Sequence, residues 1–468
     1  MRSVVLVAAL MGAWGCGKRI NPAWCQQAEN QSAAECPAAI ADAQVQETAC
    51  HASSDCAADP LNKLCNTADN ADVCVECLAS TDCADPMAPF CTPDHVCLPC
   101  EHDIECGDAS HYCEDGQCKM SSSAFYASPG GHGDPAMCLQ TAPCSLADGI
   151  ALALSGHKVL RLIGDATGVT FTVTSTIQLT SDLRISGVSD PDPQKRIILT
   201  GANVDPMFRI TSGNIELDYL VITGTKGTAI ACQGGGFVGR RLHVHDLVED
   251  GAVPAFSAAS ACSLTLDASV ITGNQHGAID VSGSADAPFA IHNNVFAKNT
   301  GGPAVALHGN GRFEYNTVVE NHGKDGTSGV LCSAADGVRL DMNILADNGL
   351  DNPPTQQNEG NKPPTILPAP QYQDCTLEHG FSNDNVDLKF LRGSDAFTQY
   401  RLTPNTPLSV VNISDVVCSG MSDIDLTPRP ARARCDMGAD ECADCQLNDP
   451  RNTGYQEQGM TGNGNGGH

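Results

Sequence analysis

Leu266-Asp267-Ala268-Ser269-Val270-Ile271-Thr272-Gly273-Asn274 is followed 25 residues later by Ile291-His292-Asn293-Asn294-Val295-Phe296-Ala297-Lys298-Asn299. After a further 22 residues comes Phe313-Glu314-Tyr315-Asn316-Thr317-Val318-Val319-Glu320-Asn321. Each segment opens on a large apolar residue, has Ser or Asn three positions on, an apolar residue five on and Asn eight on. The pattern extends outward to openers at Leu217, Leu242 and Leu340, so the spacings are 25, 24, 25, 22 and 27 residues. The apolar position five on reads Ile222, Leu247, Ile271, Phe296, Val318 and Leu345; the polar column beyond it reads Thr225, Asp250, Asn274, Asn299, Asn321 and Asn348. Ser269, Asn294, Asn316 and Asn343 form a second polar column, and Ile230, Ile279, Val305 and Val330 mark a later strand. Period-two alternation inside a period near 25 means short strands joined by bends, each coil stacked on the last. One coil cannot bury its own apolar face, but its neighbours can. Asn tolerates unusual backbone angles at a bend, and its amide can bond the next Asn along the axis. The pattern predicts an all-β, right-handed parallel β-helix; it lacks the Leu-dense consensus of leucine-rich repeats.

Composition agrees. Gly is 45 of 468 residues and aromatic residues only 4%, which suits stacked coils of small residues better than a large α/β core. The 25 cysteines point to an oxidising compartment. A net charge of −29 argues against nucleic acid and against anionic lipid held by bulk electrostatics. At the start, Arg2 precedes the uncharged apolar run Val4 to Ala13, too short to span a bilayer and read as a signal segment over residues 1–15. Ala13-Trp14-Gly15-Cys16 resembles the lipobox of bacterial lipoproteins, which implies lipidation of Cys16 and membrane attachment through that anchor. Removing Cys16 leaves an even number of cysteines for pairing.

Residues 16–120 form a cysteine-rich stalk. Cys50, Cys56, Cys65 and Cys74 make one unit, repeated by Cys77, Cys83, Cys91 and Cys97 and again by Cys100, Cys106, Cys113 and Cys118. Such density marks small modules held by disulfides because they cannot bury a core. Cys74/Cys77 and Cys97/Cys100 have zinc-like spacing, but they fall at the joins between repeats, where an exported chain oxidises them. Connectivity is not readable from spacing. Cys138, Cys144, Cys232, Cys262, Cys418 and Cys435 are further disulfide candidates, with Cys232/Cys262 bridging nearby coils and Cys418/Cys435 closing the C-terminal end.

After the Ser121 to Ser123 linker, Phe125-Tyr126-Ala127-Ser128-Pro129-Gly130-Gly131, then Ala147 to Leu154 and Lys158 to Gly164, resemble the entry into exported bacterial β-helix domains of the pectin-lyase-like fold. That resemblance implies a first strand, a helix capping the open end, and a first coil. Tyr400 to Pro407, Asp423 to Arg429 and Asp436-Met437-Gly438-Ala439-Asp440-Glu441 resemble the terminal coils of the same family. It assigns the β-helix to residues 124–445 and implies fold and export, with no particular reaction. The Gly/Asn tail, residues 446–468, has the composition of a disordered segment.

One position after each opener the chain carries Asp218, His243, Asp267, His292, Glu314 and Asp341, with Glu216, Arg241, Arg312 and Arg339 in neighbouring columns. On a parallel sheet these would stack at about 4.8 Å between coils. Such a stripe can be a ladder of mutually compensating charges. It can be a platform for Ca²⁺, a transition metal or sugar hydroxyls. It can also be catalytic: Asp218 and Asp267 bracketing His243 would supply paired carboxylates for a glycoside hydrolase or polysaccharide lyase, with Arg241 or His245 steering an acidic sugar. The Asn-Thr-Asp, Asp-Asp and Arg-Ile-Lys steps of polygalacturonases are absent, as is the Arg-x-Pro-x-x-Arg of pectate lyases. The glycine runs Gly234-Gly235-Gly236 and Gly301-Gly302 are turns without a following helix or Lys-Ser/Thr. The expectation is a non-catalytic, surface-anchored or secreted protein binding glycans or a partner surface; the alternatives are polysaccharide lyase or hydrolase chemistry and a structural envelope component.

Overall fold

The computed structural model describes residues 50–350 with short interruptions, and beyond them 355–356, 365–366, 371–377, 380–383, 388, 390, 396–402, 423–424 and 436–440. The signal segment, Cys16, Cys418, Cys435 and the Gly/Asn tail lie outside the described residues. The chain forms two compact units, Met1–Pro99 and Cys100–His468.

The first unit holds two cysteine modules and the second opens with a third. All three share one pairing, first to third and second to fourth: Cys50–Cys65 and Cys56–Cys74, Cys77–Cys91 and Cys83–Cys97, Cys100–Cys113 and Cys106–Cys118. In each, the last two cysteines face one another across a short hairpin, as in Cys65 opposite Cys74 and Cys113 opposite Cys118. A side-chain oxygen fixes the hairpin to the opening turn, because Ser53, Ser80 and Asp103 accept from the N–H of Cys65, Cys91 and Cys113 at 3.2, 3.1 and 3.0 Å. The thiols brought together are bonded to one another, which leaves none for zinc.

The second unit is a parallel β-helix of three sheets with ten, nine and eight described strands. A coil visits them in turn: Cys262–Asp267 in the first sheet, Val270–Thr272 in the second, Ile279–Gly283 in the third. Leu264, Leu266, Ile271, Ile279 and Val281 point inward to one continuous core. The helix Leu146–Gly156 closes its start by packing Ile150 and Ala153 against Leu160 and Ala127. Ser145 caps that helix through the N–H of Asp148. Both strand-to-helix features implied for this entry are present.

The six coils that bend between Tyr219 and Asp347 each turn twice through left-handed residues. The first bend is the column Tyr219, Arg241, Ala268, Asn293, Tyr315 and Met342, and the second includes Gly224, Asp246, Gly273, Lys298, Glu320 and Asp347, all at positive φ. The residue after each bend carries a ladder. Asn294 Nδ2 donates to Asn316 Oδ1 at 3.0 Å, and Asn316 Nδ2 to Asn343 Oδ1 at 3.2 Å. In the second ladder Asn274, Asn299, Asn321, Asn348 and Gln371 are linked by side-chain bonds of 2.7 to 3.1 Å. These amides are buried, and each bonds the neighbouring coil, so the ladders satisfy the bends where regular pairing stops.

Register departs from the sequence alignment in one coil. Leu217 pairs with Gly239, and Gly239 with Leu266, so Leu242 is not the opener of its coil. Its N–H donates to Ser269 Oγ at 3.1 Å, which places it on the first ladder column instead. Leu247 likewise donates to Asn274 Oδ1 and stands on the second ladder column; Asp250 is outside the described residues. The physical reason is compensation in the core. A Cβ on Gly239 would stand 2.8 Å from Leu242 Cδ1 and 3.0 Å from Leu266 Cδ1, so Leu242 fills the space that glycine leaves.

The C-terminal segment, residues 388–440, lies largely outside the described residues. Its described parts form no strand of the three sheets. Leu388, Phe397, Tyr400, Leu402, Ile424, Met437 and Ala439 cover the outer face of the second sheet, against Val270, Val295, Ala297, Val319, Ile344 and Ala346. Backbone bonds fasten it: Gly438 N–H donates to Met342 O at 2.8 Å and Ala439 N–H to Thr317 Oγ1 at 3.1 Å. Cys232–Cys262 and Cys332–Cys375 bridge successive coils at the corner between the third and first sheets. The second bridge was not anticipated from sequence.

Candidate functional site: the charged row of the first sheet

The first sheet builds one outward row across nine strands. Its register runs Tyr126, Arg161, Ser186, Asp218, Arg240, Asp267, His292, Glu314, Asp341. Five of the six residues assigned to the stripe are therefore brought together. His243 is not among them: Arg240 occupies its place, by the three-residue shift that puts Gly239 in the core column. The sequence signal for Arg240 was present only in that shifted alignment. A parallel outward row two residues earlier holds Arg184, Glu216, Val238, Thr265, Ala290, Arg312 and Arg339. Arg241 belongs to neither row; it sits at the bend, and its guanidinium lies 5.9 Å from the Phe397 ring over the second sheet.

The near half of the row is covered and paired. Arg161, 3% exposed, bonds Asp103 of the third cysteine module, donates to Ser186 Oγ at 2.9 Å and lies 4.9 Å over the Tyr112 ring. Arg184 Nε donates to Asp218 Oδ2 at 2.7 Å, and its Nη1 stands 3.4 Å from Glu114 of the same module. Asp218 is 1% exposed, and Arg240 pairs with Glu216. This carboxylate is a buried ion-pair partner, not a group open to a substrate.

The far half is open. His292 Nδ1 lies 2.7 Å from Asp267 Oδ1, with side chains 29% and 26% exposed. Asn293 Nδ2 donates to the same oxygen at 3.1 Å. Burial by itself would lower the imidazole, but the hydrogen bond to Asp267, that carboxylate's charge and then Glu314 carry His292 above its ordinary value. Burial likewise pushes Asp267 up, yet the His292 bond and charge, then Asn293, hold it below the ordinary carboxylate range. Glu314 and Asp341 are half-buried on the next two rungs, beside exposed Arg312 and Arg339. An imidazole oriented by a carboxylate and followed by two carboxylates can exchange a proton, contact hydroxyls or, with partners, hold a cation.

The set Asp218, His243 and Asp267 is thus not assembled around one point. Asp218 and Asp267 flank Arg240, and His243 stands on the second sheet between Val221 and Val270. Burial first, then His245 and Arg196, push that imidazole down to about 3, so it is neutral at ordinary pH.

No protein-family model matches the chain, and no curated protein matches its sequence. Among solved structures, one similar to it is the crystal structure of pectate lyase Pel9A, at 11% identity over 68% of this chain and 96% of that one. The TM-score is 0.39, too low to bear on what this chain does. The nine disulfides among the described residues fit an oxidising, extracytoplasmic compartment.

Proposed function

We propose that this chain is an exported β-helix protein, anchored through a lipidated Cys16, that presents the open half of its charged row to glycans or a partner surface without turning them over. The observation that carries this reading is the half-exposed run Asp267, His292, Glu314 and Asp341 beside Arg312 and Arg339. Rungs of a parallel sheet hold such groups at a fixed repeat of about 4.8 Å, a spacing that side chains on loops do not keep. Carboxylate acceptors beside imidazole and guanidinium donors suit hydroxyl-rich ligands, and the adjacent carboxylates Glu314 and Asp341 suit Ca²⁺ as a bridging ion.

A second reading, polysaccharide lyase or glycoside hydrolase chemistry, is favoured by one feature. Asp267 orients His292 as a carboxylate orients a general base. The test for both is one experiment on the mature chain. Binding and turnover are measured on acidic and neutral polysaccharides, with and without Ca²⁺, for the wild type, Asp267→Asn, His292→Gln and Glu314→Gln. Binding without product, weakened several-fold in the variants, is the expected result. Product formation that disappears in Asp267→Asn and in His292→Gln would overturn the non-catalytic reading. Neither binding nor turnover would leave the row as a structural charge ladder. Palmitate labelling of the full chain, lost in Cys16→Ser, tests the anchor.

A further inference from the structure

The second sheet gathers basic side chains where the C-terminal segment crosses it. Phe397 of that segment has Arg196 Cζ 4.4 Å and Arg241 Cζ 5.9 Å from its ring centroid, and the His243 ring meets it edge-on at 6.2 Å. His245 stacks on His243 at 4.3 Å. Two arginines and one imidazole therefore share one aromatic neighbour, with a second imidazole stacked behind the first, in a chain whose net charge is −29. Asp246 is the adjacent carboxylate in the chain, and its Oδ2 is engaged by His245 Nδ1 at 2.9 Å.

Two nitrogens in this group are buried and have no hydrogen-bond partner: Arg241 Nε and His243 Nε2. Arg241 Nε is a donor under all conditions, and His243 Nε2 is a donor in one tautomer and in the charged form. Buried polar atoms in folded proteins are satisfied with few exceptions, and an exception calls for a partner that completes it. The partner that answers a guanidinium N–H, an imidazole N–H and a second nearby guanidinium is an oxyanion.

We infer that Arg241, His243 and Arg196, with Phe397 as their wall, form an oxyanion-binding site on the second sheet, taking a carboxylate, sulfate or phosphate group. Neither the charged row nor its proposed ligand enters this argument, so the two readings fail separately. Binding would draw the two unpartnered nitrogens toward the anion. It would also stabilise the contact between the C-terminal segment and the sheet, since Phe397 belongs to that segment and touches all three basic side chains. An anion there favours the charged imidazole, so affinity rises as pH falls through the value that His243 takes with the anion bound, which lies above its free value. Among the described residues, the charged groups acting on His243 are His245 and Arg196, with Arg241 beside the same Phe397 ring and Asp246 bonded to His245.

Calorimetric titration of the full chain with inorganic sulfate and, in a second arm, with a monomeric uronic acid tests the site at pH 5 and pH 8. Saturable one-to-one binding, tighter at pH 5 than at pH 8 and at least tenfold weaker in Arg241→Met, is expected. Lys226→Gln, an exposed cation outside both this group and the charged row, should leave it unchanged. Saturation by both ligands identifies a general oxyanion site, and saturation by the uronic acid alone identifies a sugar carboxylate as its ligand. Heat that never saturates, or equal affinity in Arg241→Met and wild type, means an adventitious ion only and overturns the proposal. Should Arg241→Met fail to fold, histidine resonances of the wild type serve instead. Saturating sulfate must then raise the His243 titration from its low value, and an unmoved titration overturns the site.

Discussion

Arg161 and Asp218 stand on the same outward row as His292 and Asp341, yet the two halves of that row have different physics. In the near half the third cysteine module lays Asp103, Tyr112 and Glu114 over the sheet, and Arg161 and Asp218 there are almost fully removed from water. Each has a committed partner, because an unpaired ion would be costly at that depth. In the far half Asp267 and His292 keep 26% and 29% of their side chains exposed, water screens the charges, and the 2.7 Å contact between the two uses one atom of each. A single repeating position thus serves as structural cement under a cover and as an accessible surface beyond it.

The largest test of that contrast is Arg184→Met. It removes the guanidinium bonded to the buried Asp218, and denaturant unfolding should show a loss of about 3–5 kcal/mol; a loss below about 1 kcal/mol would mean that the near half is not a buried ionic layer. Next, replacing Cys100 and Cys113 together by Ser loosens the cover, with a disulfide of this kind contributing about 2–4 kcal/mol. Hydrogen exchange of the strands Val159–Leu162 and Leu183–Gly187 should accelerate, while that of Phe289–His292 stays unchanged. Exchange that quickens equally in both halves would break the distinction.

The far half carries a pH signature. His292 is raised, so its contribution is fully present below the ordinary imidazole value of 6.5 and is lost as pH climbs through its folded value. Asp267 is lowered, so its contribution is present above 3.8 and is lost as pH falls through its own folded value. The pair therefore stabilises most between those limits, by under about 1 kcal/mol for groups this exposed. His292→Gln should flatten the alkaline limb of a stability–pH curve measured by thermal unfolding. The smallest effect is expected from Glu314→Gln, within about 0.5 kcal/mol of wild type, because a half-exposed carboxylate on a surface rung has water as its alternative partner. A loss of several kcal/mol there would place the far half in the same class as the near one.

The sequence by itself determined the coil. Its period, the inward apolar column and both Asn ladders are legible because every coil must meet the same conditions: bury one side, bend twice, and satisfy the amides at each bend. Cysteine spacing likewise announced the modules, though their one-to-three, two-to-four pairing needed the hairpins that set Cys65 against Cys74 and Cys91 against Cys97. Tertiary structure alone decided the register where Gly239 and Leu242 exchange roles. A core position can be filled by a side chain three residues away, and a linear alignment sees only the leucine. It also decided what lies over the second sheet. Val295-Phe296-Ala297, Thr317-Val318-Val319 and Ile344-Leu345-Ala346 carry small or apolar residues on both faces, the mark of strands buried on two sides. That mark says that something covers them, and only the folded chain identifies the cover as its own C-terminal segment. Coverage is also what separates the two halves of the charged row, since identical residue types become ion pairs or open ligands according to the water they are left with.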